Sequence, residues 1–481
     1  MQAQIQVLSS SDREQVHERT LRILSRTGVR VDTARGRSTL QKAGAQVDGD
    51  THVVRFPPQL VEESIRLTPG DFILGARRSG WDLKMNSGSC TMLPDGEAIE
   101  IIDPQTHEVR LCTQQDWLNA TRLCDAVDEI GLFWSMMNYG LKAAEPGDTI
   151  HYWRQVFANF SKHVQLTIGD EDDAPWFIEV LQVLFGDREQ IRSRHPVSLL
   201  LCPQSPLIIE GRHTDAWLAL SGWDIPTAVM PMPLLASTAP GTLPGAILQG
   251  NCDTIAMLCL LQAASPGTPF LYAPVPAMTN PYSGVYSGGA VENGLLGAAV
   301  VEMARFYHFP VIASGGGTDH FFPGVQSSYE SSLNMLLPLL AWPDILVGPG
   351  LVGSSMVFSY EKFMIEVEVF RMCRRLHQGI QADEAHFLEQ LIGTVGPGGN
   401  FLGERSTVKS LRSGEWHIPR LGVHQSREAW LSKGAKDMRE ECLEKAAGIL
   451  AQHQPLPLED AALEEIKKIH DRAVAHGHHK D

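Results

Sequence analysis

The stretch SGGGTDHFFPG, residues 314–324, sets three glycines, a carboxylate, an imidazole and two aromatic rings side by side behind the apolar run FPVIA. Glycine triplets weaken a strand, so Gly315, Gly316 and Gly317 imply close backbone approach or an unusual turn. Asp319 and His320 supply groups that can carry charge, although a satisfied structural histidine is the ordinary reading for any one of the 18 in the chain. Aromatic residues gather at comparable places. Tyr139, Tyr272, Tyr282, Tyr286, Phe321, Phe322 and Phe358 all lie on or just after apolar runs. Rings that converge on one opening can hold a quaternary ammonium group by cation–π attraction of roughly 0.5–2 kcal/mol per face. The plain alternative is that they fill the top of a core.

Other motifs carry less. Gly348-Pro349-Gly350-Leu351-Val352-Gly353 has the GxGxxG spacing of a dinucleotide loop. It comes late in the chain, and its proline lacks an N–H for a phosphate, so a tight turn after a strand is the better reading. The acidic run at Asp170–Asp173 reads as a solvated helix start. GxSxG, P-loop and HExxH patterns are absent from the sequence. Eight scattered cysteines form no CxxC pair, which argues against a structural zinc site and against disulfides, while a zinc site assembled from distant residues stays open. The HGHHK tract at 476–480 reads as a loose tail, with metal binding as the alternative.

The elements that must position these groups follow from periodicity. Residues 12–45 read as helix, turn, helix, and 46–113 as short alternating runs with turn signals, in which VDGDTHVVRF, FILGARRSGWDLKM and EAIEIIDPQTHEVRLC look like hairpin pieces. Beyond 114, apolar runs recur at 132–137, 164–169, 197–202, 227–232, 269–274, 310–315 and 344–348, separated by amphipathic helical stretches. Their leucine-rich, β-branched, non-alternating character suits parallel strands buried on both faces. With SMVFSY (355–360) as a weaker eighth strand, the expected fold is α/β: a (β/α)8 TIM barrel at 114–380, an N-terminal α+β module at 1–113 and a helical C-terminal extension at 381–481. In such a barrel, function sits on the loops after the strands, where glycine, proline, serine and aromatics crowd this sequence.

The net charge of −16, from 56 acidic and 40 basic residues, argues against a nucleic-acid partner and is compatible with cationic ligands. A cytoplasmic protein is expected, because the N-terminus has no signal-peptide pattern and no apolar run approaches the ~20 residues of a membrane span.

Several stretches together resemble the trimethylamine methyltransferase family of corrinoid-dependent methyltransferases. LRILSRTGVRVD, LQKAGAQVDGD and VRFPPQLVEESI are similar to its N-terminal part, and LLLCPQSPL, MPMPLLASTAPGTLPGAILQGN and SGGAVENGLLGAAVVEMARFYHFPV to its barrel. GPGLVGSSMVFSYEKFMIEVEVFRM and GNFLGERSTVKSLRSGEWHIPRL resemble its C-terminal half. The founding trimethylamine enzymes carry pyrrolysine in the region that corresponds to 315–322. Only standard residues stand here, so the resemblance is to the branch that demethylates quaternary amines such as glycine betaine. It implies a methyltransferase that moves a methyl group from such an amine to the Co(I) corrinoid of a separate corrinoid protein, and it implies a homo-oligomer. No DxHxxG cobalamin motif occurs in the chain, as expected if the corrinoid arrives on a partner.

On this reading Gly315–Gly317 admit substrate and corrinoid, Phe321 lines an ammonium cage and His320 binds a substrate carboxylate. Asp319, Asn251 and Glu330 are polar candidates beside them, and the last two have loop tying as their plain alternative. Two rival functions are compatible with the same residues. One is a zinc-dependent methanol- or thiol-type corrinoid methyltransferase; the other is a protein that binds methylated amines without turnover.

Overall fold

The computed structural model describes residues 2–140 and 147–477; His478 and His479 of the C-terminal tract lie outside them. Eight short parallel strands form the centre. They are β1 (Thr91–Leu93), β2 (Leu132–Phe133), β3 (His163–Leu166), β4 (Val197–Leu201), β5 (Thr227–Val229), β6 (Phe270–Tyr272), β7 (Ile312–Ser314) and β8 (Ile345–Val347). Strands β2 to β6 pair in order, as do β7, β8 and β1. Parallel bridges Tyr272–Val311 and Met92–Ile130 join the two arcs into a closed ring. The fold is a (β/α)8 barrel.

The β4 sequence VSLLL shows how the ring packs. Leu200 joins Leu93, Leu132, Ala228, Leu271, Ile312 and Ile345 in one buried cluster inside the ring, while Leu199 and Leu201 belong to the outer cluster under the helices. Burial on both faces removes the alternation that a half-exposed strand would show. The hairpin Ile73–Leu74/Leu83–Lys84 contributes Phe72, Leu74, Leu83 and Met85 to the inner cluster, and so plugs the N-terminal end. A small polar layer lies inside: His163 bonds the Gly75 carbonyl and the Ser198 hydroxyl, each at 2.9 Å.

The ring differs from the sequence expectation at one strand. It begins at Thr91–Leu93, inside the stretch assigned to the N-terminal module. Val357–Phe358, in the stretch expected as the eighth strand, lies in a separate sheet with Glu100–Ile102, Val109–Leu111 and Leu351–Val352. Backbone pairing with Ile345–Val347 gives Thr91–Leu93 its place, a tertiary fact that three residues cannot announce.

Around the ring, the helix Leu243–Ala264 is buried along most of its length because the N-terminal helices Ser10–Arg26, Ala34–Lys42 and Pro58–Leu67 cover it. The helix Tyr360–His377 is fixed by Arg371, whose guanidinium donates to both Glu129 carboxylate oxygens at 2.7 and 2.8 Å. Residues 380–437 run largely exposed through short helices. The helices Met438–Gln452 and Asp460–Gly477 then return to pack on the body. Among the described residues no helix is long and apolar enough to cross a membrane.

Candidate active site

At the C-terminal end of the ring is a cavity of about 390 Å3, a volume suited to a small ligand. Each of the eight strands contributes to its wall, through Leu93, Trp134, Gln165, Leu200, Met230, Val275, Ser314 and Val347 or their close neighbours. Asp95 and Glu97 enter from the loop after β1. Tyr286, Gly288 and Asn293 come from the loop after β6, and Ser354, Ser355 and Met356 from beyond β8.

The glycine triplet allows strand-end backbones to touch. A Cβ on Gly317 would stand 2.4 Å from the Gly288 carbonyl oxygen, and one on Gly348 would stand 2.1 Å from that of Gly315. Gly316 has φ +82° and is held from behind, its carbonyl accepting from Lys362 Nζ at 2.8 Å. The close approach expected here is therefore made first by neighbouring loops, while Gly315 and Gly317 also face the cavity.

Electrostatically the cavity is one-sided. Burial raises the pKa of Asp95, against the opposing hydrogen bonds from Ser355 Oγ and the Gly96 N–H and the attraction of Lys362. Burial likewise raises Glu97, whose residue keeps accessible surface at the opening. Behind the wall, Lys362 and Glu366 form a fully buried ion pair in which burial pushes the carboxyl up and the ammonium down. Two buried amide oxygens on the wall, Gln165 Oε1 and Asn334 Oδ1, have no hydrogen-bond partner. Among the described residues lining the cavity there is no Lys, Arg or His. Nor does any group of three His, Cys, Asp or Glu among the described residues stand close enough to hold a metal ion.

The residues singled out in the sequence separate into distinct places. Tyr286 lines the cavity with Gly315 and Gly317. Tyr139 lines a smaller neighbouring chamber. Tyr282 and Phe321 are 98% and 65% exposed, on loops at the same end of the ring. His320 is half-buried outside the wall, with its Nδ1 occupied by the Phe322 backbone. Asp319 accepts from Ser287 Oγ, the Gly289 N–H and Ser354 Oγ, and so ties together three loops. Glu330 accepts from Thr318 Oγ1, the Asp319 N–H and Gln326. Asn251 and Tyr272 meet behind the ring, where Tyr272 Oη donates to Asn251 Oδ1 at 2.8 Å and Asn251 donates onward to Thr20 and Tyr307. Phe358 is fully buried in the side sheet.

Asp95, Trp134, Gln165 and Lys362 escaped the sequence reading. Trp134 and Gln165 lie inside the expected strands 132–137 and 164–169, but runs without alternation do not reveal which residues point inward. Lys362 and Glu366 had a legible signal in their i,i+4 spacing, which ordinarily marks a solvated helix face.

Barrel and strand-end cavity with an acidic, partly aromatic wall define a protein of the (β/α)8 class with a small-ligand site at the ring's end. The model of the family described as trimethylamine methyltransferase (MTTB) matches residues 1–477, and the chain belongs to that family. It is 29% identical to the trimethylamine methyltransferase MttB of Desulfitobacterium hafniense over 94% of this chain and 91% of that protein. It is 25% identical to a glycine betaine methyltransferase of the same species over 94% of each. Among solved structures, the monomethylamine methyltransferase MtmB of Methanosarcina barkeri aligns over 92% of both chains at a TM-score of 0.47 and 11% identity. The protein is a methyltransferase.

Proposed function

We propose that the methyl donor is a quaternary amine and that the acceptor is the reduced corrinoid of a separate protein. The carrying observation is the cavity at the ring's end, with Asp95 and Glu97 among Trp134, Tyr286 and methionine side chains and no cationic residue among its described lining. Such a wall favours a permanent cation. The name of the glycine betaine relative supports the same class.

A quaternary ammonium needs no acid to leave. Its C–N bond breaks with the electron pair remaining on nitrogen, and the product is a neutral tertiary amine. The corrinoid supplies the electron pair that takes the methyl group. Asp95 and Glu97 hold the cation, Trp134 and Tyr286 exclude water, and the packed strand ends fix its orientation. The cavity has room for a small amine and none for a corrin macrocycle, so the acceptor must meet it at the opening. Exposed Tyr282, Phe321 and Phe322, with the cavity-lining Met232 and Met356, give that end an apolar face for the partner. Exposed Ile380, Phe387, Ile392, Leu402 and Ile418 support self-association through the extended segment. The eight free cysteines fit a reducing, cytoplasmic setting.

Thermal denaturation with tetramethylammonium, choline, glycine betaine, carnitine and trimethylamine tests the donor class. A ligand at a hundredfold excess over Kd stabilises by about 2.7 kcal/mol. A selective rise with quaternary amines is expected; a rise with trimethylamine alone would contradict the reading.

A further inference from the structure

Beside the main cavity lies a second chamber of about 190 Å3. The two share Glu97, Trp134 and Gln165, so they are neighbouring rooms that meet at these side chains. The smaller is lined further by Tyr139, Tyr152, Trp153 and Asp173. Its volume equals that of about six liquid waters, enough for a short chain of heavy atoms. The main cavity alone has room for a compact trimethylammonium compound, which leaves the second room without an occupant.

Polar groups on its wall lack partners. Trp153 and Gln165 are fully buried residues, and Trp153 Nε1, Tyr139 Oη and Gln165 Oε1 make no hydrogen bond. Buried polar atoms left unpaired are uncommon, and each normally costs about 1–3 kcal/mol. The indole can only donate, the amide oxygen can only accept, and the phenol can do either. A ligand group that both donates and accepts, such as a hydroxyl, satisfies them; a carboxylate cannot donate to Gln165 Oε1. Charge points the same way. The charged side chains lining the two rooms, among the described residues, are Asp95, Glu97 and Asp173, all acidic. A carboxylate placed there would be desolvated beside like charges without a cation to meet it.

We infer that the substrate is an elongated quaternary amine whose methylammonium head occupies the main cavity and whose neutral, hydroxyl-bearing tail passes Gln165 and Trp134 into the side chamber. This rests on the quaternary-amine reading above and narrows it: the tail carries no carboxylate. The head stays in the main room because that room stands at the ring's end, where the acceptor has access.

Calorimetric titration of the purified chain with two matched pairs tests the assignment. Choline is compared with glycine betaine, and (4-hydroxybutyl)trimethylammonium with γ-butyrobetaine; tetramethylammonium reports the head alone. The hydroxybutyl compound should bind at least tenfold more tightly than both γ-butyrobetaine and tetramethylammonium. Thr167→Trp, at an exposed residue lining the chamber, should erase the tail's advantage and leave tetramethylammonium affinity within twofold. Equal or tighter binding of γ-butyrobetaine, or affinity indifferent to the tail, would overturn the inference while sparing the quaternary-amine reading. Absence of binding by every ammonium would overturn both. The wild-type ligand series decides the matter even if the variant fails to fold.

Discussion

Replacing Gly317 by alanine isolates what the glycine triplet does. The new methyl carbon would lie 2.4 Å from the Gly288 carbonyl oxygen and 3.0 Å from its carbonyl carbon. Ordinary contact begins at 3.4 Å, so the loops after β6 and β7 must part by 3.4 − 2.4 = 1.0 Å. Backbone stands on both sides of this contact, and no flexible side-chain end can give way. Overpacking of this kind costs about 1–3 kcal/mol. It would also move Tyr286 and Gly288 on the cavity wall. A misplacement of about 1 Å lowers a positioned reaction roughly 100-fold. Gly315→Ala is the control, since its nearest contact is 3.1 Å and a shift of 0.3 Å relieves it. Chemical denaturation and methyl-transfer rates, measured for both variants, should show a large loss in Gly317→Ala and a small one in Gly315→Ala. Equal behaviour of the two, or a Gly317→Ala protein with wild-type stability and rate, would refute the reasoning.

Three further outcomes follow from buried titratable groups. Asp95→Asn can keep the Gly96 N–H bond on its amide oxygen and donate its NH2 to Ser355 Oγ in place of the bond it accepted, while losing the charge. Its affinity for tetramethylammonium should fall tenfold or more, about 1.4 kcal/mol by titration; unchanged affinity would remove Asp95 from cation binding. Lys362→Met leaves the Glu366 carboxyl buried without its cation and should cost about 3–5 kcal/mol in denaturation, part of which Glu366→Leu in the same chain restores. If the double variant is no more stable than the single one, the pair is not coupled as described. Burial lowers the pKa of His163 to about 4, below the ordinary 6.5. A depressed folded-state value means the unfolded chain takes up the proton first, so this contribution is complete above pH 6.5 and is lost as pH falls toward 4. The loss amounts to roughly 3 kcal/mol over that window. Comparing His163→Gln with the wild type cancels the carboxylates that titrate in the same range, and a stability difference independent of pH would count against it.

Much of the barrel is legible from residue types, and the reason is physical. Strands buried on both faces are predominantly apolar, with a few paired polar residues such as His163 and Ser198, and seven such runs announce themselves by their regular spacing. Thr91–Leu93 does not, because a three-residue strand between Cys90 and Pro94-Asp95-Gly96 is identified only by its pairing with Ile345–Val347. The end of the ring that bears the site follows from the fold, while the side chains at that end are harder to read. Tyr282 and Tyr286 stand four residues apart in one loop, yet one is 98% exposed and the other lines the cavity. Asp319 and His320 attract notice by their chemistry, but loop hydroxyls and backbone groups occupy them. Asp95 attracts none, since a single acidic residue in a turn has no local signature; its proximity to Lys362 is a product of tertiary structure.

The central claim is a methyl group leaving a quaternary amine for a reduced corrinoid protein. The most direct measurement supplies the purified chain with a Co(I) corrinoid protein and (4-hydroxybutyl)trimethylammonium or choline, then follows the amine by mass spectrometry and the corrinoid by its absorbance. Stoichiometric appearance of the dimethylated amine with the methylated corrinoid, dependent on this chain, is the predicted result. Binding of the amine with no dimethylated product, under conditions where the corrinoid accepts a methyl group from another donor enzyme, would contradict it.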